Sequence, residues 1–182
     1  MFGPLVRGKV VTLRPPVPDD QAHWLEWLAD MEVTRYLLRR NVPAAHEEDE
    51  WFKRTAEDKN GVYWSIEVEG THVGGSGIHD IDWVNAHAMT GTAIGDKRFW
   101  RRGVGSESMA LRTRYAFREL NLHKLRSSAF LANEGSKRSL LKAGYRQIGV
   151  AREEIFREGR WHDLWLCEVL REDWEKQHPG EQ

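Results

Sequence analysis

The sequence predicts a single domain of the mixed α+β class, and three stretches carry this prediction. Residues 62–69 and 71–78 alternate polar and apolar side chains around Gly70, as the two arms of a β-hairpin do. A strand ending at Ile94 leads through a basic loop into a helix over residues 104–120. The helix is indicated by apolar side chains that recur at helical spacing, while Arg112 and the other charged residues fall away from this face. The apolar residues are Met109, Ala110, Thr113, Ala116, Phe117 and Leu120. Residues 145–157 and 160–170 form a second pair of strand patterns around Glu158-Gly159.

The first third of the chain predicts one strand and two helices. Residues 9–14 have a strand pattern that ends at a cluster of prolines. Asp19 or Asp20 is then expected to begin a helix, and a more polar helix is expected over residues 43–59. Residues 33–41 are ambiguous. The large aromatic residues of the two helices are expected to pack in the core, because helical tryptophans are usually buried. They are Trp24, Trp27, Trp51 and Phe52.

Between the first hairpin and the next strand, 89–94, lie several polar side chains that are candidates for contact with a substrate. His79, Asp80, Asp82 and His87 are typical acid, base or ligand residues, and Trp83 stands among them. None of the pairs has the spacing of a known zinc site, so no metal is predicted. A loop at a strand end is the competing interpretation.

The C-terminal part predicts a strand over 124–131 and a short helix over 133–143. Asn133 is a favourable N-cap, and Gly144 is expected to end the helix. Residues 164–170 are apolar on both faces of the strand, which indicates that they are covered on both sides. Cys167 lies among them and is expected to pack as a small apolar residue. The domain is expected to span 1–176, and 177–182 to form a disordered tail.

Composition restricts the functional class without defining it. The formal net charge is −1 with 30% charged residues, so no charge imbalance points to nucleic acid. With one cysteine, an intramolecular disulfide is excluded, and a reducing compartment is favoured. The sequence shows neither a secretory pattern nor a membrane-spanning apolar run. We expect a cytoplasmic protein that does not bind membranes.

The loop before the central helix has the features of an anion-binding site. Gly103 and Gly105 let the backbone approach a ligand closely, and the first turn of a helix offers unpaired N–H groups at the positive end of its dipole. Lys97, Arg98, Arg101 and Arg102 add positive charge. The sequence therefore predicts a phosphate site here. A dinucleotide site is less consistent, because Ser108 stands where a third glycine is needed.

Two motifs about thirty residues apart give the chain a family resemblance. Residues 100–105 match Gln/Arg-x-x-Gly-x-Gly/Ala with Trp100 in the first position, and residues 133–145 match Asn-x-x-Ser-x-Arg-x-Leu-x-Lys-x-Gly-Phe with Tyr145 in the last. In this order the motifs resemble the acetyl-CoA binding core of the GCN5-related N-acetyltransferases (GNAT). The most similar branch is that of the ribosomal-protein alanine N-acetyltransferases, RimJ and RimL.

The resemblance implies a fold, a cosubstrate and an activity. The fold would be a mostly antiparallel seven-stranded sheet flanked by about four helices, and the activity would be transfer of an acetyl group from acetyl-CoA to a primary amine. Ser136 would donate to the leaving thiolate, although it could instead only support its helix. The cofactor-binding residues would be Ala93, Ile94, Gly95, Trp100, Arg101, Arg102, Gly103, Val104, Gly105, Ser106, Asn133, Ser136 and Arg138.

The general base is not assigned by the resemblance. Many relatives carry Glu where this chain has Met89, and others use a carboxylate on the penultimate strand, where Glu153 and Glu154 stand. Strand alternation would let only one of these two face the cleft. We take Glu154 as the candidate. Because Met89 replaces this Glu, the alternative function is that of a non-catalytic acyl-CoA-binding regulatory module.

The acceptor is expected to be a small amine or a protein N-terminus. Aromatic faces and carboxylates favour a cationic ligand, and the loops expected at the entrance contain both. The candidate acceptor-binding residues are His79, Asp80, Asp82, Trp83 and Trp161. A homodimer remains an alternative to a monomer.

Overall fold

A computed structural model of the chain describes residues 1–39 and 41–180. The strands are β1 (Val6–Arg7), β2 (Thr12–Arg14), β3 (Val62–Val68), β4 (Thr71–Asp82), β5 (His87–Ile94), β6 (Lys124–Phe130), β7 (Arg146–Arg157) and β8 (Arg160–Leu170). The helices are α1 (Asp20–Ala29), α2 (Met31–Thr34), α3 (Ala45–Glu57), α4 (Val104–Arg118), α5 (Glu134–Lys142) and α6 (Arg171–Gln177), with a 3₁₀ turn at Lys97–Phe99.

The predicted mixed class is confirmed, while the element count is larger than expected. The described residues form eight strands and six α-helices instead of seven and about four. The extra strand is β1, which lies before the predicted N-terminal pattern of residues 9–14, whereas β2 lies within that pattern. One extra helix, α2, begins just before the ambiguous segment, where the Asp30 carboxylate accepts a hydrogen bond from the Glu32 N–H, and it ends within that segment at Thr34. Another, α6, is held by the buried Trp174, which packs on Phe117 of α4.

All strands belong to one sheet, in the order β1-β2-β3-β4-β5-β6-β8-β7. Every neighbouring pair is antiparallel except β5 and β6, which are parallel. These two strands pair only at their first residues, His87–Met89 with Lys124–Arg126. Beyond that point they separate, so their C-terminal halves leave an opening within the sheet.

Helices cover both faces of the sheet. On β4 the Ser76 hydroxyl meets Arg112 of α4, whereas a side chain at the adjacent Gly75 would meet the Trp24 ring of α1. Successive strand residues point to opposite faces, so α1 and α4 lie on opposite sides. The α5 helix is joined to α4 by Ser106 and Ser139. None of the helices in the described part of the chain is long and apolar enough to cross a membrane.

Two predictions about the middle of the chain are wrong. Residues 79–82, expected as a loop, complete β4, because Asp82 still pairs with His87 after a bulge. The helix α4 also buries more than its apolar stripe: Arg112, expected away from that face, is completely buried. Its Nη1 donates to the Gly91 carbonyl at 2.6 Å and to the Thr92 hydroxyl at 2.6 Å, whereas its Nε and Nη2 are buried without a hydrogen-bond partner among the described residues.

The C-terminal predictions agree well with the structure. The hairpin β7–β8 turns at Glu158-Gly159, and Asn133 caps α5. Cys167 is buried, its thiol donates to the Ser127 carbonyl, and burial raises its pKa to about 12. Of the proposed tail, 177–182, Gln177 ends α6 and the last two residues lie outside the described part.

Candidate functional site

The opening between the two parallel strands is the main candidate site, and we call it the wedge: residues 90–94 of β5 and 127–130 of β6. Its apex is closed by side chains. The Thr90 hydroxyl donates to the Arg126 carbonyl at 3.1 Å, and the Ser127 hydroxyl donates to the Thr90 carbonyl at 3.0 Å. Past Met89, no strand in the described chain pairs with β5 on its β6 side. In this part of β5, the half of the backbone N–H and C=O groups that point toward β6 therefore have no strand partner.

The loop from β5 to α4 forms an open cradle at the wide end of the wedge. The Trp100 indole donates to the Ile94 carbonyl at 2.8 Å, which fixes the loop against the strand. Gly103 has a φ of +82° and is the N-cap of α4. A Cβ at Gly103 would meet no atom within 4 Å, and one at Gly105 would meet only the Ile94 side chain at 3.8 Å. Space therefore lies above the first turn, where N–H groups and the helix dipole favour an anion.

Only two of the four basic loop residues can act as mobile positive charge. Lys97 contacts Asp30 and Glu32, both at 2.8 Å, and Arg98 contacts Asp96 at 2.6 Å. Lys97 and Arg98 thus hold the loop in place. The other two, Arg101 and Arg102, are exposed and form no ion pair with the described residues.

The start of α5 borders the same cradle. The Asn133 side-chain oxygen accepts from the Ser136 N–H at 3.1 Å, so only its amide N–H₂ remains to bind a ligand. The Ser106 hydroxyl donates to the Ser139 hydroxyl at 2.9 Å and fixes α4 to α5. Ser136 is half-buried and Arg138 is exposed. The structure thus brings Ser136, Asn133 and the Gly103–Ser106 turn together, whereas Ser139 carried no recognisable signal in the sequence.

The open end of the wedge is covered by elements distant in sequence. Tyr36 packs on Phe130 with ring centroids 5.5 Å apart, and Phe130 packs edge-on against His162 at 5.7 Å. Arg157 on β7 donates to the carbonyls of Thr34 at 3.1 Å and Leu37 at 2.8 Å. The segment 34–39 is thereby attached to the β7–β8 hairpin. None of these residues was identified from the sequence, because each depends on contacts more than 30 positions apart.

The predicted acceptor residues do not lie together. Trp161 lies on the β7–β8 hairpin near the open end, 59% exposed and 5.3 Å from Phe156 between ring centroids. Asp82 and Trp83 lie at the β4–β5 turn, where the Asp82 carboxylate accepts from the Asn85 N–H at 2.9 Å. Asp82 pairs with His87, seven residues before Ile94, which corresponds to about 23 Å along a strand. His79 and Asp80 lie between these ends, near the apex.

The predicted base Glu154 lies outside the wedge. A bulge in β7 places Ala151 opposite Leu164 and Ile155 opposite His162, so strand alternation fails across 152–154. Within the bulge Glu153 has a φ of +52°, and its N–H donates to the Asp163 carboxylate at 2.8 Å. Both glutamates are exposed on the edge strand, which β8 separates from β6.

A second polar cluster, formed by Asp20, His23 and His72, lies beneath α1. The His72 Nδ1 is 3.0 Å from the His23 Nδ1 and 3.2 Å from an Asp20 oxygen. Burial lowers the pKa of His72 to about 4. Burial would raise the pKa of Asp20. Hydrogen bonds from Arg14 and Ser65 outweigh this effect, so the pKa of Asp20 is lowered to about 2. Because both carboxylate oxygens bind Arg14, the cluster is already neutralised without a metal.

The family follows from a match of residues 11–146 to the acetyltransferase (GNAT) domain. The chain belongs to the GNAT acetyltransferase family. It is similar to two Bacillus subtilis proteins. One is the uncharacterized N-acetyltransferase YoaA, 28% identical over 92% of this chain and 97% of YoaA. The other is the putative ribosomal N-acetyltransferase YdaF, 30% identical over 68% and 67% of the two chains.

A solved GNAT structure shows the same fold. The Vibrio cholerae spermidine N-acetyltransferase, crystallised with CoA and spermine, superposes with a TM-score of 0.85 at 18% identity over 92% of this chain and 99% of that one. As a GNAT protein, the chain is an N-acetyltransferase that uses acetyl-CoA. The open cradle before α4 and the unpaired edge of β5 fit this cosubstrate, because one offers N–H groups to phosphates and the other offers them to amides.

Proposed function

We propose that this GNAT chain transfers the acetyl group of acetyl-CoA to a primary amine, either a protein N-terminal α-amine or a small amine. The observation that carries the proposal is the wedge, which opens beside the uncovered first turn of α4. The wedge and the first turn of α4 form one continuous binding site for an extended ligand that carries phosphates at one end. Acetyl-CoA supplies an activated thioester, so the protein has mainly to orient the reactants and move protons.

The cofactor contacts follow from the groups that remain available. Backbone N–H groups of 101–106 would bind the pyrophosphate, assisted by Arg101 and Arg102. The strand edge at 93–95 would bind the pantetheine amides. Two of its groups are already used, because the Gly95 N–H donates to the Val73 carbonyl and the Ile94 carbonyl accepts from Trp100. The Asn133 amide N–H₂ would add a donor.

Ser136 is the proposed donor to the leaving thiolate. Its backbone N–H is bound by Asn133, which fixes the first turn of α5 beside the wedge. Its hydroxyl makes no hydrogen bond with the described residues, so it could serve a ligand without loss of an internal contact. Glu154 remains a weaker proposal for the base because it lies on the edge strand.

Two relatives suggest two classes of acceptor. The name of YdaF points to ribosomal proteins, and the Vibrio enzyme acts on spermidine. The open end of the wedge is lined by Tyr36, Phe130 and His162 and flanked by the exposed Trp161. Aromatic faces of this kind favour an ammonium group. We propose Trp161 as an acceptor contact, while Asp82 and Trp83, at the far turn, would require an extended acceptor.

The function is tested by an acceptor panel with acetyl-CoA. Peptides with different N-terminal residues, polyamines and simple amines are incubated with the enzyme, and product is identified by mass spectrometry. We expect acetylation of one amine class, with a Michaelis constant for the acceptor that rises with salt, because exposed ion pairs are screened over about 8 Å at physiological ionic strength. Binding of acetyl-CoA without product from any amine would favour the non-catalytic alternative.

The proposal extends to cellular context. A cytoplasmic location fits the single buried thiol. A homodimer would use the edge strand β7, where Ile148 and Val150 are exposed. Such edges commonly pair with another strand.

A further inference from the structure

We propose that His79, positioned by Asp80, is the general base that removes the proton from the acceptor ammonium. The inference deepens the proposed function and rests on it. A base for this reaction must be a titratable side chain at the apex, where β5 and β6 separate, and an amine must be able to reach it.

The bulge in β4 creates a histidine–carboxylate pair. In a regular strand two consecutive side chains point to opposite faces. Here Asp80 has a φ of +53°, and the ladder slips between His79 and Asp82. As a result the Asp80 carboxylate meets the Nδ1 of its own neighbour, His79, at 2.8 Å. Bulges of this kind often re-aim side chains near active sites.

This contact selects the tautomer that a base requires. A carboxylate accepts hydrogen bonds, so Nδ1 of His79 carries the proton and Nε2 holds the lone pair. The Nε2 atom has no hydrogen-bond partner among the described residues. The His79 side chain is 38% exposed, which allows an amine or a single bridging water to reach it.

His79 points at the apex of the wedge from the face that α4 leaves uncovered. It pairs directly with Met89, the last β5 residue in the strand ladder with β6. A Cβ at Gly91, two residues into β5, would lie 3.8 Å from the Nε2 of His79. Gly91 is exposed. The base therefore lies over the strand edge that an extended acyl donor would occupy.

The other titratable groups near the apex are less suitable. The Tyr145 hydroxyl is buried and bonded to Thr90 at 3.1 Å. The Cys167 thiol is buried and donates to a carbonyl. Arg112 and Arg126, which pairs with Met89, are permanent cations. The Glu168 carboxylate, opposite Arg126, is bound by Lys124 and Arg146. His79 is the group that combines access, a free lone pair and an orienting carboxylate.

The proton balance follows from the chemistry of an amine and a thioester. The ammonium gives one proton to Nε2 of His79, and the nitrogen lone pair then forms the C–N bond to the acetyl carbon. The C–S bond breaks, the nitrogen loses its second proton as the amide forms, and the departing thiolate takes up one proton in its place. The net products are the acetamide, CoA thiol and one proton, which His79 returns to solvent.

The test compares His79→Gln and Asp80→Asn with the matched control His46→Gln. His46 is an exposed histidine of α3 and forms no ion pair with the described residues. We expect His79→Gln to lower kcat/KM for the acceptor about 100-fold or more, with unchanged acetyl-CoA affinity by calorimetry. Its deficit should shrink as pH approaches the pKa of the acceptor amine. Asp80→Asn should give a smaller deficit and a shifted pH profile, and His46→Gln should match wild type.

A rescue variant distinguishes a base from a structural role. Met89 is the direct cross-strand neighbour of His79, so Met89→Glu would place a carboxylate about 5 Å away between Cβ atoms. His79→Gln combined with Met89→Glu should recover at least tenfold of the lost rate. The Tyr63 hydroxyl and Asp58, which lie near Asp80, are left unchanged in all variants. An active wild type with a His79→Gln variant within twofold of it overturns this inference alone. A wild type that acetylates no amine overturns the proposed function as well.

Discussion

Lowering the pH from 7.5 to 5 should destabilise the fold through His72. Burial lowers the folded-state pKa of His72 to about 4, compared with 6.5 in its ordinary environment. The neutral form is therefore favoured in the folded state, and its contribution is complete above pH 6.5 and lost as pH falls from 6.5 to 4. Proton linkage between these two values gives a loss of about 2 kcal/mol in the free energy of unfolding at pH 5. Asp20 stays ionised over this range because its pKa is about 2.

The assay is urea denaturation at pH 7.5, 6 and 5 for the wild type, His72→Gln and His46→Gln. Glutamine keeps a donor for the Gly74 carbonyl, which His72 contacts at 3.0 Å, but cannot be protonated. We expect His72→Gln to be less stable at pH 7.5 by about 1 kcal/mol and to lose less stability between pH 7.5 and 5. The substitution His46→Gln, at an exposed residue of α3, should leave the pH dependence of stability as it is in the wild type. Parallel losses in wild type and His72→Gln would refute the reasoning.

Two further predictions concern the cofactor side of the wedge. Gly105→Asp should abolish acetyl-CoA binding in calorimetry, because it places a negative side chain in the open space above the first turn of α4. Gly70→Asp, at an equally open hairpin turn, should bind as wild type does, and wild-type affinity in Gly105→Asp would remove the phosphate site from this loop. Ser136→Ala should lower kcat more than it weakens acetyl-CoA binding, since a donor to the thiolate acts mainly in the transition state. An unchanged single-turnover rate would leave Ser136 with only a structural role.

Local signals explain which elements could be predicted. The β7–β8 hairpin, α4 and α5 are defined by alternation, helical spacing and caps, all of which act over a few residues. The geometry of the open cradle before α4 could be predicted for the same reason, because Gly103 and the first turn of α4 are contiguous. The four-residue helix α2 is too short to show a period.

Buried polar contacts could not be predicted, because their stability depends on partners from other strands. Arg112 occupies a helical position that the sequence marks as polar, yet it is completely buried. Its guanidinium is stabilised by hydroxyl and carbonyl oxygens of β4 and β5. A different limit applies to the exposed pair of His79 and Asp80, which lie next to each other in one strand. Adjacent strand residues should face apart, and only the backbone conformation of Asp80 brings them together.

Trp83 and Trp161 show how topology decides which predicted residues share a site. Trp83 follows a strand and Trp161 lies at the start of one, and both have an aspartate nearby, so the sequence leads to the same prediction for both. Because β5 and β6 are parallel, the wedge opens only at their C-terminal ends, and β8, antiparallel to β6, brings its first residues to that same end. Trp161 therefore lies near the opening, whereas the β4–β5 turn carries Trp83 away from it. Acceptor selection should accordingly depend on the hairpin and on the segment 34–39 attached to it by Arg157.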